Sequence, residues 1–379
     1  LSSISFSATL SVLCKASLSL TIIHCTTKNS IMSNLLYAKS HFFVVFYFFR
    51  CYTHPMKLVL APMAAITNQA LRLLIQSFGG CDEYFTEMIQ AGTLLTGGPF
   101  EKYYLLQDPE PEKIVWQITG NKKESMGQAA ALLSDLGGVG VDINMGCCAP
   151  DIVRTGAGIA WMLKPISETE AMVKEVAKNV KKKSDLRVSA KIRLGGENFT
   201  KESLQTFIDM LVCNGVEQIT LHPRTEKEKY RNPPRYQWFS FLCDYVEEKQ
   251  YPVSLVLNGG IQDSAGVQKI ITTEPRVSTL MIGRAAVQKP WIFSQIQGSN
   301  PESVDLLQLS FDFIDNLMLY QPPEFYKTRL QRFFAFYSDN VQFAQYLRTQ
   351  LLNHPTPEGC KKELEKYFEQ CPHERYKNL

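Results

Sequence analysis

The segment 142–150, D-I-N-M-G-C-C-A-P, holds the side chains of this chain that are best able to do chemistry. The apolar run Val139 to Ile143 is typical of a buried strand, and it ends at Asn144 and two thiols, Cys147 and Cys148. In parallel α/β folds, active sites lie at the carboxyl ends of strands. The two thiols would then lie where chemistry takes place in such folds. Alternatively, both cysteines are small buried hydrophobes without a chemical role.

Polar side chains also end or follow most of the other apolar runs. They are Gln117, Lys191, Arg193, His222, Arg224, Asn258 and Arg284. A lysine or histidine inside a strand is costly to bury without a partner. Lys191 and His222, at equivalent depths in their runs, therefore indicate a site and are hard to explain as core residues.

Glycines follow the seventh and eighth apolar runs, at Gly259, Gly260 and Gly283. Barrel proteins often bind a phosphate at this place through backbone N–H groups and the start of a short helix. Arg284 would add a charge-assisted contact. These residues alone predict only a ligand that carries a phosphate.

The same glycines together with Lys191, His222 and Gln117 predict a flavin mononucleotide (FMN). The flavin ring needs a cation near its N1–C2 edge to stabilise the reduced anion, and it needs amide partners for its pyrimidine portion. Lys191 could supply the cation and Gln117 an amide.

The apolar runs alternate with helix-like stretches from Met56 onward. The eight runs are Lys57–Met63, Tyr84–Met88, Ile114–Gly120, Gly140–Gly146, Arg187–Leu194, Gln218–His222, Ser254–Asn258 and Thr279–Gly283. Predicted helices between them are Thr67–Phe78, Lys123–Leu136, Ser167–Lys183, Lys201–Asn214 and Ser264–Thr272. Successive runs are about 31 residues apart, a normal length for a βα unit. This pattern predicts an α/β fold of the (β/α)8 TIM-barrel class. An open, doubly wound sheet is the alternative, weakened because no G-x-G-x-x-G follows the first strand.

Residues 303–379 have helical periodicity and no strand signal, so we expect a small all-helical carboxy-terminal domain. We place the barrel at 56–300 and the helical domain at 301–379. Its aromatic residues are expected to form a core and not a stacking surface. Lys327, Arg329 and Arg332 could be a phosphate-facing patch or a solvated helix face.

Residues 1–55 differ from the rest because they contain no Asp, no Glu and no Gly. They could be a transit or signal segment, or a membrane anchor through Phe42 to Phe49, although that run is short for a spanning helix. We favour upstream translation ahead of a true start at Met56, which directly precedes the first strand.

The charge balance gives no support for a generally basic surface. Omitting residues 1–55 removes four of the 40 basic residues and none of the 37 acidic ones, so the formal net charge changes from +3 to −1. Any nucleic-acid contact must then come from a local patch. The remaining cysteines lack framework spacing, which suggests a reducing cytosol. No P-loop and no H-E-x-x-H motif is present, and the histidines are too dispersed for a typical zinc site.

At these residues the chain closely resembles the tRNA-dihydrouridine synthases, from about Lys57 to Phe293 with a helical segment following. The motifs, in order, are Ala61-Pro62-Met63, Asn144-Met145-Gly146-Cys147, Lys191-Ile192-Arg193, His222-Pro223-Arg224-Thr225, Asn258-Gly259-Gly260 and Gly283-Arg284. The sequence departs from the family pattern in three places. Cys148-Ala149 intervenes between the family cysteine and Pro150, Pro223 replaces a usual Gly, and Gly260 replaces a frequent Asp.

The resemblance implies an FMN-bearing barrel that reduces a D-loop uridine of tRNA, with a helical domain that helps to grip the tRNA. NADPH would reduce the flavin, the flavin N5 would pass hydride to C6 of the flipped uracil, and Cys147 would protonate C5. The implied cofactor-binding residues are Pro62, Met63, Ala64, Gln117, Lys191, His222, Asn258, Gly259, Gly260, Gly283 and Arg284. The implied substrate-binding residues are Asn144, Arg193 and Arg224.

Asn144 is expected to hold the uracil edge by paired hydrogen bonds. The loop from Thr225 to Trp238, with Lys229 and Arg231, could contact the RNA backbone or could be a solvated basic loop. We expect a cytoplasmic monomer with tRNA as partner, and neither a membrane nor a metal. The rival interpretation is another FMN barrel oxidoreductase, similar to dihydroorotate dehydrogenases or ene-reductases, acting on a small molecule. A tRNA-binding protein that has lost catalysis is disfavoured because Cys147, Lys191 and His222 are intact.

Overall fold

Eight parallel strands close into a barrel in the computed structural model, which describes residues 56–228, 232–299 and 301–379. The strands are β1 Lys57–Leu60, β2 Glu83–Phe85, β3 Ile114–Thr119, β4 Gly140–Met145, β5 Arg187–Ile192, β6 Gln218–Leu221, β7 Ser254–Asn258 and β8 Thr279–Ile282. Each strand pairs with the next, and β8 pairs with β1. This closure confirms the predicted (β/α)8 barrel and makes the open-sheet alternative wrong. A two-residue strand, Ile89–Gln90, extends the pairing of β3.

Helices surround the barrel and follow its strands along the chain. They are α1 Gln69–Gln76, α2 Ala91–Thr96, α3 Lys123–Ser134, α4 Pro150–Arg154, α5 Ala160–Leu163, α6 Ile166–Lys183, α7 Lys201–Cys213, α8 Gln237–Lys249, α9 Ser264–Thr273, α10 Arg284–Gln288 and α11 Ile292–Gln297. Helix α8 was not predicted, although its buried Phe239, Leu242, Cys243 and Val246 have helical spacing. The predicted leader, residues 1–55, lies outside the described part of the chain.

The interior of the barrel is apolar on one side and polar on the other. Side chains that alternate inward from β1, β2, β3, β7 and β8 form a cluster with little or no exposure: Val59, Ala61, Phe85, Val115, Val256 and Met281. The matching inward positions of β4 and β5 are Asp142 and Ser189, which are fully buried. A much larger apolar cluster fills the space between strands and helices. Most of the apolar burial that stabilises the fold therefore lies between the strands and the helices and not in the barrel interior. One wall of that interior is left for polar residues.

Four helices and a short ribbon complete the chain after the barrel. The helices are α12 Leu306–Tyr320, α13 Pro323–Tyr337, α14 Ala344–Asn353 and α15 Pro357–Gln370. Phe313 and Phe333 stack at 3.7 Å between ring centroids, so these aromatics form a core as predicted. The antiparallel strands β9 Ser303–Asp305 and β10 Tyr376–Asn378 were not predicted, since three residues are too few for a periodic signal. In the described residues, no helix is long and apolar enough to cross a membrane.

One member of the predicted basic patch on α13 is not on the surface. Arg329 is 2% exposed, and its Nη1 donates to Oε2 of Glu87 at 2.7 Å. Its guanidinium also lies 4.7 Å from the ring centroid of Phe325. Both alternatives considered for Arg329, a phosphate-facing patch and a solvated helix face, are therefore wrong, because this cation joins α13 to the segment after β2. Lys327 and Arg332 on the same helix are exposed.

A buried carboxylate organises the amino-terminal end of the barrel. Glu83 is 1% exposed and accepts hydrogen bonds from Arg187 at 2.8 and 2.7 Å and from Lys57 at 2.5 Å. Burial alone would raise the pKa of Glu83, but the hydrogen bonds and charges of Arg187 and Lys57 lower it below its ordinary value. This cluster joins β1, β2 and β5 at the end of the barrel opposite the strand ends that carry the polar motifs.

We expect Glu83→Gln to lower the free energy of unfolding at neutral pH by about 2 kcal/mol, because two cations lose a charged partner. Because the pKa of Glu83 is lowered in the fold, the difference should be present above the ordinary pKa of Glu and should vanish as the pH falls through the lowered value. Urea unfolding at several pH values measures it. Asp151→Asn, which removes an exposed ion pair with Arg154, should change stability by less than about 0.5 kcal/mol. Equal effects of both changes would refute the structural role of Glu83.

Candidate active site

The structure brings the predicted site residues together at the carboxyl ends of the strands. Gln117 comes from β3, Asn144 from β4 and Lys191 from β5, while His222 and Gly259 directly follow β6 and β7. The strand register places Asn144 beside Lys191. These residues were predicted from separate motifs, and parallel pairing alone puts them at one mouth.

The carboxamide of Asn144 holds the turn that carries the cysteines. Its Oδ1 accepts from the backbone N–H groups of Gly146 at 3.2 Å and Cys147 at 2.9 Å, and its Nδ2 donates to Oε1 of Gln117 at 2.8 Å. Both lone pairs of the amide oxygen are thus used within the protein. The paired contact with a uracil edge predicted for Asn144 does not fit this arrangement, which leaves one N–H for a ligand.

Cys147 is half-buried at the mouth, and burial raises the pKa of its thiol above the ordinary value. A second loop clamps it, because Ile159 N–H donates to the Cys147 carbonyl at 2.9 Å. Gly158 makes this approach possible: a Cβ there would lie 2.5 Å from the same carbonyl oxygen, and its φ is +61°. Cys148 is also half-buried and packs against the apolar cluster around the barrel. Gly158 was not recognised from the sequence as a residue that shapes the cysteine loop.

Lys191 lies on β5, paired with Asn144 of β4. The pKa of Lys191 is lowered to about 8, mainly by burial and also by Arg193, while the negative charge of Asp142 acts in the opposite direction. Lys191 is therefore mainly protonated at neutral pH, and it loses its charge just above that range. Arg193 is 4% exposed and donates from Nη1 to the carbonyl of Thr225 at 3.3 Å, which fastens the loop after β6.

His222 is kept neutral by burial and by the surrounding cations. Burial lowers its pKa well below the ordinary range, and Lys191, Arg193, Arg224 and Arg284 add to the effect. Its Nε2 lies 2.7 Å from Nη1 of Arg224. Arginine only donates hydrogen bonds, so Nε2 must be the acceptor and the proton of the neutral ring sits on Nδ1.

Arg224 is directed toward the protein itself. It is 2% exposed, and its Nε and Nη2 donate to the carbonyl of Asn232 at 2.9 and 2.5 Å. This geometry argues against the predicted substrate contact, and we assign Arg224 instead to orienting His222 and the end of the following loop. Lys229 and Arg231, predicted to contact RNA, lie outside the described residues.

Gly259, the first glycine after β7, lies closely against His222. A Cβ at Gly259, whose φ is +109°, would lie 2.6 Å from Cδ2 of His222. Tyr236 donates from its hydroxyl to the Gly259 carbonyl at 2.8 Å, and Asn258 donates from Nδ2 to the Met281 carbonyl on β8 at 2.8 Å. Among the residues that the structure describes, none accepts a hydrogen bond from the N–H groups of Gly259, Gly260 or Gly283. Two adjacent strand ends therefore present several backbone donors.

The end of β1 borders the same side of the mouth. Pro62 and Met63 are half-buried and Ala64 is exposed. The Met63 carbonyl accepts from the N–H of Thr67 at 3.0 Å. A Cβ on Gly283 would lie 3.4 Å from Sδ of Met63, so the ends of β1 and β8 are in contact range.

Two buried polar residues beneath the mouth were not identified as site residues from the sequence. Asp142 and Ser189 are fully buried, and Ser189 donates from its hydroxyl to Oδ1 of Asp142 at 2.6 Å. Gln117 donates from Nε2 to Oδ2 of Asp142 at 2.8 Å. The signal was a carboxylate inside the otherwise apolar run of β4, two residues before Asn144. In the described part of the chain, no group of three His, Cys, Asp or Glu side chains could hold a metal.

The chain matches proteins of one family over most of its length. The family model described as dihydrouridine synthase (Dus) matches residues 59–374. The tRNA-dihydrouridine synthase B of Pseudomonas aeruginosa is 30% identical over 245 residues, which cover 65% of this chain and 70% of that protein. The probable tRNA-dihydrouridine synthase of Aquifex aeolicus is 30% identical over 262 residues, 68% of this chain and 78% of that protein. The probable tRNA-dihydrouridine synthase 2 of Bacillus subtilis is 27% identical over 299 residues, 78% of this chain and 89% of that protein.

A solved structure supports the fold alone. The 2-naphthoyl-CoA reductase in complex with 2-naphthoyl-CoA superposes with a TM-score of 0.50 at 10% identity, covering 83% of this chain and 67% of that one. The barrel, the order of its strand-end motifs and the family match agree with one another. The chain belongs to the dihydrouridine synthase family.

Proposed function

We propose that this protein is an FMN-dependent, NADPH-using tRNA-dihydrouridine synthase that reduces a D-loop uridine and donates a proton from Cys147. The observation that carries the proposal is the position of Cys147. Asn144 holds the backbone N–H of Cys147 at a barrel mouth that also presents Lys191 and neutral His222, and burial raises the pKa of the thiol so that it stays protonated. The names of the relatives from P. aeruginosa and A. aeolicus support tRNA as the substrate.

The residues at the mouth fit FMN. The N–H groups of Gly259, Gly260 and Gly283, with Arg284 nearby, could bind its phosphate. Lys191 carries a positive charge suited to the N1–C2 edge of the ring, and the cation remains at neutral pH because its pKa is about 8. His222 could donate from Nδ1, while Gln117, Asn258 and the segment Pro62 to Ala64 could border the ring. When bound, FMN supplies a hydride from its N5, after reduction by NADPH.

The residues of this chain would then act on the uracil in two ways. Cys147 would deliver the proton from Sγ to C5 of the uracil, and its raised pKa keeps that proton in place at neutral pH. Asn144 would mainly fix the direction of this thiol, with one N–H left to contact the base. Arg193 remains a candidate for contact with the substrate, because it follows β5 and donates a hydrogen bond to Thr225 in the loop after β6.

The most direct test in cells is a map of dihydrouridine in tRNA. Cells that lack this protein should lose the modification at one or more D-loop positions, and expression of the protein should restore it. An unchanged dihydrouridine map, together with flavin binding by the purified protein, would instead favour the small-molecule oxidoreductase.

Gly259→Ala should weaken FMN binding by about tenfold or more, which corresponds to ~1.4 kcal/mol, because the added Cβ displaces His222. Gly79→Ala is the matched control, since Gly79 has a similar φ of +102° but open space around its Cβ position. Both variants should lose stability from backbone strain, and only Gly259→Ala should lose flavin. Titration of flavin fluorescence measures the affinities. Equal flavin affinity in both variants would contradict the site.

Cys147→Ala should keep FMN and its reduction by NADPH but form dihydrouridine about 10²–10⁴-fold more slowly, because the general acid is gone. Cys148→Ala should stay within a few-fold of the unaltered protein, since Cys148 packs against the apolar cluster. Dihydrouridine per tRNA, quantified by mass spectrometry after rapid quenching, measures both rates. If Cys148→Ala were the inactive variant, the residues that intervene before Pro150 would have moved the proton donor.

A further inference from the structure

A continuous chain of hydrogen bonds leads from the interior of the barrel to the backbone of Cys147. Ser189 donates to one oxygen of Asp142 at 2.6 Å, and Gln117 donates to the other at 2.8 Å. Asn144 donates to Gln117 at 2.8 Å and accepts from the N–H of Cys147 at 2.9 Å. The strand register explains the order, because Gln117, Asp142 and Ser189 are neighbours across β3, β4 and β5.

The direction of every bond in this chain depends on Asp142. An ionised carboxylate only accepts hydrogen bonds, so the amide NH₂ of Gln117 must face Asp142 and its oxygen must face Asn144. That oxygen requires the NH₂ of Asn144, whose own oxygen then faces the N–H groups of Gly146 and Cys147. If both amides turned over, the NH₂ of Asn144 would meet two backbone donors and the turn would lose its support.

Burying the carboxylate of Asp142 inside the barrel costs desolvation free energy. Asp142 is fully buried, and its pKa is raised to about 6 because burial outweighs the lowering effects of Ser189, Gln117 and Lys191. The opposite wall of the barrel interior instead holds apolar residues such as Val59 and Val256. A leucine of similar size would avoid the desolvation cost, so packing alone does not explain an aspartate here.

We propose that Asp142 is a positioning residue that sets the amide orientations of Gln117 and Asn144 and thereby the place of the Cys147 thiol. The catalytic consequence rests on the proposed function, whereas the structural one does not. Misplacing a reacting group by about 1 Å can cost on the order of 10²-fold in rate.

The test compares Asp142→Asn with Asp142→Leu. Both variants carry Cys148→Ser, so that any label found in the peptide with Cys147 is on Cys147 and not on its neighbour. Asn keeps an oxygen that can accept from Gln117 while its NH₂ faces the Ser189 hydroxyl, which can accept. Leu keeps the approximate size and removes the acceptor. Glu83→Gln is the control, since it alters a buried carboxylate at the opposite end of the barrel. Asp142→Ala serves in place of Asp142→Leu if that variant does not fold.

Two quantities are measured on the FMN-loaded protein: the rate of iodoacetamide alkylation of Cys147, and the rate of dihydrouridine formation after flavin reduction. In Asp142→Leu, alkylation should become faster by several-fold, because the turn opens more often, and dihydrouridine formation should slow by about 10²-fold. Asp142→Asn and the control should stay within about threefold of the parent in both.

Each outcome decides the proposal. Unchanged alkylation and turnover in Asp142→Leu would overturn it. Equal impairment of the Asn and Leu variants would also overturn it, because the charge at this position and not an accepting oxygen would then be required. If the unaltered protein does not reduce tRNA, the proposed function fails. The alkylation rates would then still test whether Asp142 holds the cysteine loop.

Discussion

The site depends most on the carboxamide of Asn144. This one side chain fixes the turn that carries the Cys147 thiol and links that turn to the neighbouring strand β3. Its oxygen holds the N–H groups of Gly146 and Cys147, and its nitrogen binds Gln117 on β3. A half-buried thiol on an unsupported turn would have no defined direction. With this support, and with the carbonyl of Cys147 bound by Ile159, the cysteine loop is fixed from both sides. Directional proton donation requires such a fixed donor.

The positive electrostatic potential at the mouth arises because several cationic side chains lie close together there. Lys191, Arg193 and Arg224 lie near His222, and together with burial they keep this histidine neutral. The arginines are stabilised by backbone carbonyls of Thr225 and Asn232, and Asp142 offsets part of the charge around Lys191. The result is a positive, poorly solvated surface, which suits an anionic reduced flavin and a phosphate-bearing substrate.

The sequence predicted the barrel and the members of the site better than it predicted their contacts. Strand spacing and covered apolar runs indicated eight βα units, and parallel pairing then required Gln117, Asn144, Lys191 and His222 to meet. The burial of Arg329 with Glu87 could not be foreseen, because 242 residues separate the partners in the chain. The inward role of Arg224 was also hidden, since an Arg in a motif does not reveal whether it faces a ligand or a carbonyl. The ribbon of β9 and β10 was too short to leave a periodic pattern.

In the proposed function, the mouth of this barrel reduces a uridine in tRNA. The measurement that tests it most directly is anaerobic reoxidation of the FMN-loaded, NADPH-reduced protein by one of two oxidants: unmodified tRNA, or a small unsaturated carbonyl compound such as orotate. We predict that tRNA restores the absorbance of oxidised flavin and gains one dihydrouridine per flavin, while the small molecule reacts far more slowly. Rapid reoxidation by the small molecule, with no dihydrouridine formed in the tRNA, would contradict this account.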